Sequence, residues 1–148
     1  MISIRNKALQ HLARRDHSRA ELTQKLLRFD ETYDAAEVDA VLDDFIERGW
    51  LSDARFAEQW VHFRSQRYGS QRLRHELREK GVDQDIIEEV LAQYSDLEES
   101  QARLVWQKKF SSAAQDQKER GKQLRFLASR GFSLSVIYRI VAQEDEGF

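Results

Sequence analysis

Two short spacings in this chain could begin a catalytic or metal site, and neither completes one. His75-Glu76 opens like a zinc-protease motif but is not followed by the second histidine that would finish the metal-binding face. Glu58 and His62 stand four apart, so a helix would bring them together. Two ligands are not a metal site, because zinc takes three or four from the protein, and a surface pair is the simpler reading. The chain has no cysteine, which removes disulfides and thiolate sites. Its carboxylates sit in solvated runs, with no apolar pocket to raise a pKa for acid–base work. No glycine-rich phosphate loop is present. No catalytic residue, metal or cofactor is therefore expected.

What the sequence does concentrate is positive charge. Arg64, Arg67, Arg72, Arg74 and Lys80 gather around Tyr68-Gly69-Ser70. Lys108, Lys109, Lys118, Arg120, Lys122 and Arg125 form a second cluster, and Arg14, Arg15 and Arg19 a third. The planar guanidinium fork of arginine suits carboxylate or phosphate. Contacts to single-strand phosphates would weaken with salt, with a slope of about 0.7 per phosphate neutralised.

The net charge of −2 hides segregation. From Arg5 to Arg28 there are seven basic and two acidic residues; from Asp30 to Asp53, one basic and nine acidic. The span from Arg55 to Lys80 is basic again, Asp83 to Glu99 is wholly acidic in its charges, and Arg103 to Arg139 is basic. Glu144-Asp145-Glu146 make an acidic tail. Such runs are often solvated faces laced by i,i+4 pairs. Recurrence at one period also fits a basic stripe for phosphates or an acidic groove, beside an acidic stripe that faces a basic surface.

The elements that must carry these charges are helices. Proline, which breaks helix interiors, is absent, and nothing alternates with period two. No run of about 18 apolar residues exists, so no membrane span is expected, and the N-terminus reads as lacking a signal peptide. An internal repeat is visible. Arg74–Gln93 slides onto Leu124–Gln143 without a gap, with Leu77 on Leu127, Gly81 on Gly131, Ile87 on Ile137 and Ala92-Gln93 on Ala142-Gln143. A looser copy runs from Leu22 to Leu42. Ser18 with Glu21, Asp34 with Glu37 and Ser95 with Glu98 have capping-box spacing; Ser70, Asp83 and Ser133 suit simple caps. Gly49, Gly69, Gly81 and Gly131 read as left-handed helix stops.

The pattern predicts nine helices, near 4–15, 19–29, 35–48, 53–67, 71–80, 84–94, 96–110, 117–130 and 134–143. Phe56, Trp60 and Phe63, with Ala57 and Val61, mark one inner face; Ala102, Val105, Trp106 and Phe110 mark another. The expected fold is all-α: three tandem three-helix repeats over 4–49, 50–94 and 95–143 in an elongated, curved array, with an acidic tail at 144–148.

The stretch Gly49-Trp50-Leu51-Ser52-Asp53-Ala54-Arg55-Phe56-Ala57 resembles the most characteristic block of the RecX family. Arg64, Arg67, Gly69, Arg72-Leu73, Glu76-Leu77 and Lys80-Gly81-Val82 continue the pattern in order. Arg15-Asp16-His17-Ser18 with Glu21-Leu22 resembles the family's first unit, and Phe126-Leu127 with Arg130-Gly131-Phe132 its last. The similarity spans nearly the whole chain. Within it Gly49, Gly69, Gly81 and Gly131 are expected to stop helices, Asp53 to cap the next helix and Arg55 to pair with a nearby acid. Phe56, Leu73 and Leu77 are core positions. Trp60 and Trp106 pack inside, and Trp50 either plugs a junction between units or stays partly exposed.

The resemblance implies a non-enzymatic cytoplasmic regulator that binds the RecA recombinase and its filament on single-stranded DNA. It would restrain ATPase, strand exchange and coprotease activity in DNA repair, homologous recombination and the SOS response. A monomer is expected, with at most weak direct DNA binding. The basic clusters are the expected contact residues, either in the filament groove or at a filament end. Two other classes fit the helices: a helix-turn-helix-like DNA-binding regulator, against which the acidic third helices of the first two units weigh, and a helical protein-interaction adaptor.

Overall fold

A computed structural model describes residues 1–145, with side chains through Val141. Among the described residues there are eight helices and no strand: α1 Ile4–Arg14, α2 Arg19–Phe29, α3 Ala35–Glu47, α4 Asp53–Arg64, α5 Ser70–Glu79, α6 Gln84–Lys109, α7 Gln117–Ser129 and α8 Leu134–Asp145. Of the tail expected at 144–148, residues 146–148 lie outside the described residues. The helices begin where a short polar side chain can satisfy free N–H groups. Ser18, Asp34 and Asp116 accept from the amides of Glu21, Glu37 and Glu119.

Eight helices replace the nine expected because the break at Ser95 does not occur. No glycine or proline interrupts the chain there, and Ser95 Oγ turns back to donate to the Ala92 carbonyl at 2.8 Å. The helix runs on for 26 residues. Glu98, read as half of a capping box, is buried and accepts from Ser70 N–H at 2.6 Å and Ser133 Oγ at 3.0 Å. One carboxylate thus holds the starts of α5 and α8.

Four smaller expectations differ from the structure. α4 stops at Arg64 rather than 67, and Phe63 is 68% exposed instead of inward. The buried arc of this segment runs through Ala57, Val61 and Ser65, and Phe63, two residues from Val61, turns about 200° away from it. Asp53 does not cap α4. Ser52 Oγ accepts the Arg55 amide at 3.1 Å, while Asp53 Oδ1 accepts the first amide of α2, from Arg19, at 2.7 Å. Gly69 is not left-handed; only Gly49, Gly81 and Gly131 have positive φ among the described residues.

Gly69 is needed for space. A Cβ there would lie 2.3 Å from Phe132 Cα, and one on Gly131 would lie 2.3 Å from Arg72 Cβ. The two backbones touch because Gly69 N–H donates to Arg130 C=O and Gln71 N–H to Gly131 C=O, each at 2.9 Å.

By contacts the chain forms two compact units, residues 1–59 with 77–87 and residues 60–76 with 88–148, so α4 and α5 each contribute to both. The first has its core in Ile4, Ala8, Leu22, Leu26, Val38, Leu42, Phe45 and Leu51. The second has Ala102, Trp106, Leu127, Phe132, Val136, Ile137, Ile140 and Val141. Trp106 is buried there as expected, and its Nε1–H donates to Gln123 Oε1 at 3.0 Å. Phe56, Leu73 and Leu77 are buried. None of the described helices is long and apolar enough to cross a membrane.

Gly69→Ala should lower unfolding stability by about 2 kcal/mol or more, because rigid backbone must move aside. Gly121→Ala, where the nearest atom is the flexible end of Arg125, should leave it unchanged or raise it by about 0.5–1 kcal/mol through helix propensity. Urea titration of both variants checks the contrast.

Candidate functional site

The basic residues singled out by the sequence divide into two groups once their partners are known. In the central cluster, Glu76 on α5 accepts from Trp60 Nε1 at 3.0 Å, from Arg64 at 2.5 and 3.0 Å, and from Arg72 Nε at 3.1 Å. Burial pushes the Glu76 carboxyl up, but the hydrogen bonds from Arg64, Arg72 and Trp60 outweigh it and hold the group below its ordinary range. The Tyr68 ring packs against the guanidinium groups of Arg72 at 3.9 Å, Arg64 at 4.6 Å and Arg130 at 5.7 Å. Arg74 grips Glu88 with two nitrogens, at 2.8 and 3.3 Å. Only Arg67 of these arginines stands exposed without an ion pair.

The same holds around the start of α2. Glu21 accepts two bonds from Arg15, at 2.9 and 3.0 Å, and one from Lys80 Nζ at 3.0 Å. Burial pushes its carboxyl up, yet Arg15 and Lys80 pull it down to about 2. Ser18 Oγ donates to the Lys80 carbonyl at 2.7 Å, so these contacts fasten residues 77–87 to α2 within the first unit. Arg19 pairs with Asp43 at 2.7 Å and Asp39 at 3.7 Å on α3. Arg5 pairs with Asp44 at 2.9 Å. Basic α1 and α2 therefore neutralise acidic α3 within one three-helix unit, which accounts for much of the charge periodicity.

The family block at 49–57 acts through Arg55. It bonds Asp16 at 3.0 Å, the Gly49 carbonyl at 3.0 Å and the Trp50 carbonyl at 3.1 Å, so it closes the turn between α3 and α4 against the α1–α2 turn. Trp50 remains 41% exposed, edge-on to Phe45 and flanked by Arg5 and Arg48.

The second cluster is different. Lys118, Lys122 and Arg125 occupy positions i, i+4 and i+7 of α7, and so share one face. All three are exposed, as are Lys108 and Lys109 at the end of α6. Lys109 Nζ lies 5.8 Å from the Phe126 ring, and Arg120 is half-buried. The nearest carboxylates in sequence are occupied by backbone: Asp116 accepts the Glu119 amide at 2.8 Å and Glu119 accepts the Gln115 amide at 3.0 Å. Lys109 and Lys122 also line a cavity of about 220 Å³ with Phe110, Ser111, Ser112, Glu119 and Gln123. This face offers positive charge without internal neutralisation, which suits phosphate oxygens or an acidic protein surface. Sequence reading named its residues but missed the contrast with the central cluster, because Glu76 and Glu88 betray their partners only in three dimensions.

Fold and surface together define a class: an all-helical protein of tandem three-helix domains that exposes a basic face. Within that class, the chain belongs to the RecX family. Residues 5–45, 52–91 and 97–141 match, in order, the first, second and third three-helix domains of RecX. The chain is 44% identical over 145 residues to the regulatory protein RecX of Ralstonia pickettii (strain 12J), covering 98% of this chain and 90% of the relative. It is 41% identical over 144 residues to that of Leptothrix cholodnii, covering 97% and 90%. The fold is similar to the crystal structure of RecX from Lactobacillus salivarius, with a TM-score of 0.82 at 23% identity over 97% of this chain and 95% of that one.

Glu21 gives a pH test. Its folded pKa of about 2 lies below the ordinary 4.5, so its contribution is complete above pH 4.5 and is lost as pH falls through about 2. Glu21→Gln should cost about 1–2 kcal/mol at neutral pH, after allowing for solvent screening of Arg15 and Lys80, and should flatten the acid limb of stability. Urea midpoints measured from neutral pH down to about pH 2 check both effects.

Proposed function

We propose that this protein restrains the RecA recombinase by binding its filament on single-stranded DNA. Membership of the RecX family along the whole chain, with the three domains in order, carries the reading. Its relatives are named regulatory proteins, which supports a role in binding rather than turnover. The exposed face of Lys108, Lys109, Lys118, Lys122 and Arg125 is the contact we assign first, with Arg67 and Arg14 as further contacts. Arg64, Arg72, Arg74, Lys80, Arg15 and Arg19 serve mainly to hold the fold.

In this account the repeats over 4–49, 50–94 and 95–143 touch successive RecA protomers, as a monomer in the cytoplasm. Filament subunits bridged in this way turn over ATP more slowly and admit a second duplex less readily. The same contacts at a filament end block addition of the next protomer. Reduced strand exchange and reduced coprotease action follow from either route.

The test is RecA ATPase on single-stranded DNA, titrated with this protein at two salt concentrations. Inhibition should be stronger at low salt. Adding the protein before filament assembly and to finished filaments separates end blocking from groove binding. Charge reversal by Lys118→Glu, Lys122→Glu and Arg125→Glu should raise the half-inhibitory concentration about tenfold or more, as expected when several steering charges are inverted. Unchanged inhibition by that variant, with the wild-type helical spectrum, removes the α7 face from the mechanism. A RecA that ignores the wild-type protein at both salt concentrations ends the reading.

A further inference from the structure

The groove between α1 and α2 collects more positive charge than Arg14 alone, the one member proposed above as a filament contact. Lys7, His11 and Arg14 stand at i, i+4 and i+7 on α1, and so line one face. Lys25 reaches this face from α2. Its Nζ donates to His17 Nε2 at 2.9 Å, while His17 Nδ1 donates to the Arg15 carbonyl at 3.0 Å. Those two bonds fix His17, buried at the α1–α2 turn, as a neutral ring. The His11 ring lies 5.6 Å from it.

Among the described residues, the carboxylates packed near this group are hydrogen-bonded to other cations, although the charge of Glu21 is still felt at Lys25. Glu21 is committed to Arg15 and Lys80, and Asp44 of α3, the other helix packed on α1, is committed to Arg5 and Arg48. Asp16 is bound to Arg55. A bland alternative is that His11 and Arg14 merely complement the carbonyl end of α1. That end carries only about half a negative charge, too little to offset Lys7, Arg14 and Lys25 together. The crowding is felt at His11, which burial, and then the charges of Lys25, Lys7, Arg14 and Arg15, hold below its ordinary range.

We propose that Lys7, His11, Arg14 and Lys25 form a phosphate-binding site in the α1–α2 groove, which takes up its anion together with a proton on His11. A phosphate oxygen placed among these groups supplies the missing negative charge. It accepts from ammonium and guanidinium donors, and it gives a protonated imidazole an acceptor. Lys25 keeps two protons for the anion while its third stays on His17. Because the bound anion favours the charged form of His11, linkage requires affinity to rise as pH falls. The site depends on no property of the filament, although Arg14 is also one of the contacts proposed for RecA.

The experiment uses the full chain without RecA. His11 is titrated by NMR, alone and with a saturating oligothymidylate, whose phosphodiester charge and thymine bases do not change between about pH 6 and pH 8. A second arm uses inorganic phosphate in place of the oligonucleotide. The His11 midpoint should rise by about one unit with whichever ligand occupies the groove, and the oligonucleotide should bind about threefold or more tightly at pH 6 than at pH 8. His11→Gln should abolish the pH dependence, and Lys25→Gln should weaken binding about fivefold or more. His62→Gln, at an exposed position of α4, should change neither. A rise with the oligonucleotide assigns the site to a nucleic-acid backbone; a rise with inorganic phosphate alone assigns it to a small phosphate. A His11 midpoint that moves with neither ligand overturns the site.

Discussion

A carboxylate withdrawn from water needs hydrogen-bond donors around it, and this constraint orders the surface of the protein. Glu21, Glu76 and Glu98 are each enclosed by helices, and each is met by two or three donors. The first two draw in Arg15, Lys80, Arg64 and Arg72; the third draws in the start of α5 and the hydroxyl before α8. What remains after these demands is the set of cations able to meet a partner. That remainder is uneven. Most of it lies on the exposed face of α7 with the end of α6 and in the groove between α1 and α2, with Arg67 beside the central cluster.

The arrangement explains how a chain with net charge −2 can present strongly positive faces. Acidic residues are placed where they neutralise chosen arginines or cap helices, not spread to cancel charge everywhere. α3 illustrates it: Asp39, Asp43 and Asp44 bind Arg19, Arg5 and Arg48 and hold the first three helices together. Asp116 and Glu119 accept backbone amides at the start of α7 and form no ion pair with Lys118, Lys122 or Arg125.

The helices and most of their ends were legible in the sequence, because caps and glycine stops act locally. Ser18 and Asp34 cap as their spacing suggests, and Gly49, Gly81 and Gly131 are left-handed. The same local reasoning failed where tertiary contacts reassigned a side chain. Glu98 serves distant helix starts instead of Ser95, and Asp53 serves α2 instead of α4. Gly69 satisfies a close approach to Phe132 rather than a backbone twist, a demand no local signal carries. For the candidate site, composition identified which residues are basic, and only the fold identified which are already engaged. In the groove of Lys7, His11, Arg14 and Lys25, sequence marks Arg14 as part of a basic cluster, but His11 does not register as charge and Lys25 joins only through the packing of α2 on α1.

Paired cations hold the fold and unpaired ones do not. Urea unfolding of two charge-neutralised proteins tests it most directly. Arg64→Gln with Arg72→Gln should lose about 1–2 kcal/mol, because Glu76 is left half-buried with its guanidinium donors gone. Lys118→Gln with Lys122→Gln should stay within about 0.5 kcal/mol of the parent. Equal losses in the two proteins would contradict the account.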